Sequence, residues 1–126
     1  MGRRGYAQVK RPEYGSCISD WAQHAFCRYL EEHGLEVGTG NGNDWVGPAD
    51  ADRWEIEIPY KKTKPDSKMQ HSYVRIRRMI KELREHPDRI VDYDGHNHGE
   101  AAARVLEECL EAAIREDSDY LVIEWF

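Results

Sequence analysis

The chain has 126 residues, 40% hydrophobic and 33% charged, with a formal net charge of −6. A chain of this size suits one domain that buries about two thirds of its unfolded surface, so it needs no disulfide or metal staple, and this composition excludes a disordered chain. The acidic balance argues against a dedicated nucleic-acid binder, and no apolar run approaches the ~20 residues that cross a bilayer.

The opening segment carries Arg3, Arg4, Lys10 and Arg11 without an apolar stretch. It reads as a basic arm over 1–16 rather than a secretory signal, with Tyr6, Val9 and Tyr14 leaving open a short edge strand or a reach to a partner subunit. Residues 17–126 then read as a single α+β domain. Cys17, Cys27 and Cys109 form no CxxC pair and are odd in number, which predicts a reducing, cytoplasmic setting. Cys27 and Cys109 stand beside apolar helix stripes and read as small core residues.

Ile18, Trp21, Ala22, Ala25, Phe26, Tyr29 and Leu30 recur at helical spacing as one wide apolar face and predict a helix over about 19–33. Ser19 is placed to cap it, and Gly34 to end it. A short strand is expected at 35–37, a turn at 38–44 and a returning strand at 45–46. Residues 53–60 alternate, with Trp54, Ile56, Ile58 and Tyr60 on one side and Arg53, Glu55 and Glu57 on the other. Pro59 confines that strand to an edge or ends it.

A basic loop at 61–65 leads to a second helix over 67–85. There Met69, Tyr73, Ile76, Ile80 and Leu83 make an apolar seam, and Arg75, Arg77, Arg78, Lys81 and Arg84 load the rest of the circumference. RIVDY at 89–93 predicts a short strand. The third helix, over 99–116, turns Ala102, Val105, Leu106, Cys109, Leu110 and Ala113 inward and Glu107, Glu108 and Glu111 outward. Glu100 with Arg104, and Glu111 with Arg115, are pairs of favourable orientation. YLVIEWF at 120–126 is a strand that needs a neighbour, inside the sheet or at a subunit interface. The expected fold class is α+β: a single small domain with a mostly antiparallel sheet covered by about three amphipathic helices.

Three constellations carry candidate chemistry. The first joins Asp50 or Asp52 to Glu55, Glu57 and Lys61, with Gln70 and Tyr73 on the helix that follows. This order of helix, strands and helix resembles the core of the PD-(D/E)XK nuclease superfamily. The resemblance implies Mg²⁺ held by the carboxylates and a lysine that helps activate water. Catalytic residues Asp52, Glu55, Glu57 and Lys61 belong to that alternative, a divalent-metal-dependent phosphodiesterase. Lys61 stands four residues after Glu57, beyond Pro59, and a solvated charged edge strand is the preferred reading.

The second constellation is 92–100, where Asp92, Asp94, His96, His98 and Glu100 occupy alternate positions. In an extended segment they would share one side, and Asp94, His96 and His98 are the alternative metal ligands. The third is the basic face of the second helix. It is a surface for phosphates in a second alternative, non-catalytic nucleic-acid binding, or for an acidic protein, including the third helix of another copy.

The preferred function is a small soluble acidic intracellular binding module that acts through a protein–protein interface. Inhibitor, immunity, anti-defence and assembly-component roles fit it. The expected binding surface is Arg75, Arg77, Arg78, Lys81, Arg84, Trp125 and Phe126. A homo-oligomer is expected, a homodimer first. No cofactor is required except a divalent metal in the enzyme alternative, and no membrane partner is expected.

Overall fold

A computed structural model describes residues 4–7, 16–40, 43–48, 68–116 and 121–125. In chain order the elements are β1 (Arg4–Ala7), β2 (Cys17–Ser19), a 3-10 turn (Asp20–Ala22), α1 (Gln23–Glu32), β3 (Leu35–Gly40), β4 (Asn43–Pro48), α2 (Lys68–Glu85), a second 3-10 turn (Pro87–Arg89), α3 (Gly99–Glu116) and β5 (Leu121–Trp125). The strands pair antiparallel in the order β2-β1-β5-β4-β3.

The expectation of a domain organised by a mostly antiparallel sheet with helices as its cover is corrected, because helix dominates the molecule. The helices run for 10, 18 and 18 residues, whereas the strands are 3 to 6 residues long. Helical side chains also supply most of the buried core. The strand membership differs too. RIVDY is not a strand: its Arg89 closes a 3-10 turn, and its Val91 makes an isolated bridge to Asn97. The alternating stretch at 53–60 lies outside the described residues.

The helices form where the periodicity places them. Phe26, Tyr29 and Leu30 of α1 are buried, and Gly34, at φ 80°, ends that turn. Ile76, Met79, Ile80 and Leu83 of α2 are buried, while Met69 and Tyr73 lie in the part of the helix whose side chains are not described. On α3, Ala102, Ala103, Val105, Leu106, Cys109, Leu110 and Ala113 are all buried. The run is wide because α3 is covered on two sides, by α2 and by β1, β2 and β5.

Trp21 departs from its expected place: it is 61% exposed. Ser19 does cap, with its Oγ accepting the Trp21 N–H at 3.3 Å, but it caps the 3-10 turn before α1. At ~100° per residue Trp21 already lies ~125° from the centre of the buried Ala22, Phe26, Tyr29 and Leu30, at the edge of the apolar stripe, and the wider ~120° step of the 3-10 turn carries it ~20° further out.

Residues 4–7 form a strand held on both sides, with Gly5 opposite Ile18 of β2 and opposite Trp125 of β5. The terminal strand β5 lies between β1 and β4. Its Leu121, Ile123 and Trp125 reach the core. Trp125 was expected on a binding surface; it is 6% exposed and belongs to the core instead, while Phe126 lies outside the described residues.

The Trp125 ring fits because residue 5 has no side chain. A Cβ on Gly5 would stand 2.8 Å from the ring's Cη2 and 2.9 Å from its Cζ2. The ring is buried, so a side chain at residue 5 must displace it within the core. Gly5→Val is expected to destabilise the fold by about 1–3 kcal/mol, the usual cost of overpacking, as measured by urea unfolding. Unchanged stability would mean that the ring can relocate at no cost.

Candidate protein-docking site

The loop from Ile90 to His98 is built around one carboxylate. Asp92 has a side chain only 3% exposed. Its Oδ1 accepts the backbone N–H of Asp94 at 2.9 Å and of His96 at 3.0 Å. Its Oδ2 accepts from His98 Nε2 at 2.8 Å. The His98 bond above all, with the two backbone donors, holds the Asp92 carboxyl at about 2, below its ordinary 3.8.

The backbone closes around this centre. Asp92 N–H donates to the His96 carbonyl, Gly95 N–H to the Asp92 carbonyl and His98 N–H to the Ile90 carbonyl. Gly95 sits at φ 85°, a conformation side-chain-bearing residues rarely adopt, and this lets the loop double back. The His98 carbonyl accepts the Ala102 N–H, so the residue that binds Asp92 also begins α3.

Fixed in this way, the loop presents Tyr93, which is 95% exposed, and Val91, which is 37% exposed. Across a cleft of about 410 Å³ stands the exposed Trp21 at the start of α1. Arg28 and Arg89, both exposed, add positive charge to the lining, and Glu32 adds a carboxylate.

Beside the cleft, a short polar chain ties α1 to α2. The buried Tyr29 donates its hydroxyl proton to Glu82 Oε1 at 2.7 Å, and His33 Nε2 lies 3.4 Å from the same oxygen. Burial first, then the bond to Glu82, raises the Tyr29 hydroxyl well above its ordinary value, and the same bond lowers Glu82. Tyr29 is therefore a neutral donor that fixes α1 against α2.

The sequence-derived candidates fall differently. Asp94, His96 and His98 were expected on one side of an extended segment. The loop turns back on itself instead: Asp94 and His96 are exposed, and the Nε2 of His98 is engaged by Asp92. Among the described residues no group of three or more His, Cys, Asp or Glu side chains is arranged to hold a metal ion. Asp52, Glu55, Glu57 and Lys61 lie outside the described residues.

Of the basic set, Arg77, Arg78 and Lys81 are exposed. Arg75 donates to the Gly34 carbonyl at 3.0 Å, and Arg84 makes a two-pronged pair with Glu107 at 3.1 Å. Cys109 is buried, its Sγ donating to the Val122 carbonyl at 3.5 Å, and burial pushes its thiol far up, so it is no nucleophile.

Sequence reasoning missed the cleft because Trp21 fitted a core stripe and RIVDY fitted a strand. The signal it passed over was Tyr93-Asp94-Gly95, a turn tripeptide with an aromatic at its tip. Among the described residues no helix is long and apolar enough to cross a membrane. No protein-family model, curated protein or solved structure matches the chain.

Asp92 makes the loop sensitive to acid. Its folded value is depressed, so the unfolded chain binds more protons between about pH 4 and pH 2. Its contribution to stability is present above the unfolded value of 3.8 and is lost as pH falls through about 2. Thermal unfolding should show the native chain more stable than Asp92→Asn at about pH 5, with the gap closing toward pH 2. A gap that stays constant over that range would mean the carboxylate charge does not hold the loop.

Proposed function

We propose that this chain is a small intracellular protein-binding module, and that it takes its partner in the cleft between the start of α1 and the 90–98 loop. The observation that carries the reading is where apolar side chains meet water. Among the described residues four large hydrophobic side chains are exposed, and three of them, Trp21, Val91 and Tyr93, border this one cleft. Tryptophan, tyrosine and arginine are the side chains that dominate binding energy at protein interfaces, and Arg28 and Arg89 complete the set here.

The surroundings support the same reading. Tyr93 and Val91 ride on a loop fastened by the Asp92 bonds, so little ordering cost remains at binding. Arg28 and Arg89 stand against Glu32 and Asp92, but the Asp92 oxygens are taken up by donors of its own loop, so the two guanidiniums are the donors the cleft offers to a partner. That balance suits a partner segment with an apolar side chain beside an aspartate or glutamate. Inhibitor, immunity and assembly-component roles all use such a surface, and a reducing compartment suits three cysteines that form no disulfide.

The test is selection of binding peptides from a random display library, followed by calorimetry. Selected peptides are expected to pair an apolar residue with an acidic one. Trp21→Ala and Tyr93→Ala should each weaken them by about tenfold or more. Peptides that bind both variants as tightly as the native chain would place the interface elsewhere.

A further inference from the structure

The fourth exposed hydrophobic, Ile114, lies on a different surface. It borders a groove of about 530 Å³ between α2 and α3, whose floor is formed with Ile80 and Leu110. The two banks differ in sign. Arg77, Lys81 and Arg84 stand on the α2 side, with Glu85 as the exception at its end, and Glu107 and Glu111 stand on the α3 side. The pair between Arg84 and Glu107 bridges the banks at 3.1 Å, whereas Arg77, Lys81 and Glu111 extend into solvent.

A surface with one basic and one acidic bank is complementary to itself under one symmetry only. A twofold axis running along the groove sets α2 of each copy over α3 of the other. An axis across the groove sets α2 on α2 and is repulsive. We infer that this groove is the interface of a homodimer in which the basic bank of each copy meets the acidic bank of its partner, and Ile114, Ile80 and Leu110 are covered between them. The inference is independent of the cleft at Trp21 and Tyr93.

Its expected strength follows from its size. The lined stretch runs over residues 77–85 of α2 and 107–114 of α3, about half of each helix, so the contact falls well below the ~800 Å² per copy of a standard interface, which predicts a weak, micromolar or looser, and salt-sensitive dimer. Sedimentation equilibrium of the full chain over a range of concentrations reads this directly. The dimer should weaken by about tenfold or more between about 50 mM and 500 mM salt.

The decisive arm is mixing. Arg77→Glu with Lys81→Glu makes both banks acidic, and Glu107→Lys with Glu111→Lys makes both basic. Each double variant alone should be monomeric, and the two mixed should form a one-to-one dimer. Recovery on mixing shows that the variants fold. A native chain that stays monomeric at every concentration overturns the inference, as does a dimer that survives in either variant alone. So does a native monomer that instead binds a mixed-sequence DNA duplex through Arg77 and Lys81, since that assigns the basic bank to phosphates.

Discussion

The burial of α3 on two sides at once is the constraint from which the rest of the molecule follows. One side of that helix meets α2 and the other meets β1, β2 and β5. Both contacts need close approach, and the sequence supplies it with Ala102, Ala103, Ala112 and Ala113 among the larger Val105, Leu106 and Leu110. Small side chains let two layers come near the same helix, and the larger ones then fill the space between them. With α3 fixed, β5 must return beneath it, and the 90–98 loop must end where α3 begins.

That last requirement explains why the loop is rigid. A loop joining two long packed helices has little freedom in its ends, and its own polar groups still need partners. Asp92 provides them: its carboxylate takes two backbone donors inside the loop and the ring of His98 at the head of α3. The loop is thus anchored to the central helix through a buried charge, and its outer residues are free to face solvent. The rigid presentation of Tyr93 is a consequence of how the core is closed.

How far the sequence disclosed this depended on the range of the interaction. The helices were legible because an amphipathic stripe is a local record of burial: Phe26, Tyr29 and Leu30, then Ile76, Ile80 and Leu83, then the α3 face, all lie where period and burial agree. Trp21 was misplaced because the apolar stripe is wide and Trp21 stands at its edge, where a large apolar side chain is assigned to the core by its chemistry rather than by its direction; the 3-10 turn carries it slightly further out. RIVDY was misread because β-branched and aromatic residues favour strands only where a neighbouring strand is at hand. Here the partner is a three-point bond to Asp92, which no propensity encodes. A strand around Tyr6 was one of two readings left open for the basic arm, and what fixes it, the bare Gly5 beneath the Trp125 ring, is a contact across the sheet that no local pattern records. Trp125 itself was read as surface because it lies near a chain end, yet the hydrogen bonding of β5 on both sides draws it into the core.

Charge is divided by element rather than spread evenly, and that division is what gives an acidic chain a basic face. The net charge of −6 conceals an α2 rich in arginine beside an α3 rich in glutamate. Among the described residues the two meet in the bridge of Arg84 with Glu107, where the pairing lowers Glu107 and raises Arg84. An exposed pair of this kind contributes little to stability, about 0–1 kcal/mol. Its larger effect is orientation, since it fixes which charges remain on each bank. The two grooves therefore differ in kind. The cleft beside Trp21 joins aromatic side chains to the exposed Arg28 and Arg89, with Glu32 and Asp92 also in its lining. In the α2–α3 groove Arg77, Lys81 and Arg84 stand across from Glu107 and Glu111, with Glu85 the exception on the basic bank, and a surface divided in this way is answered by the same surface turned about a twofold axis.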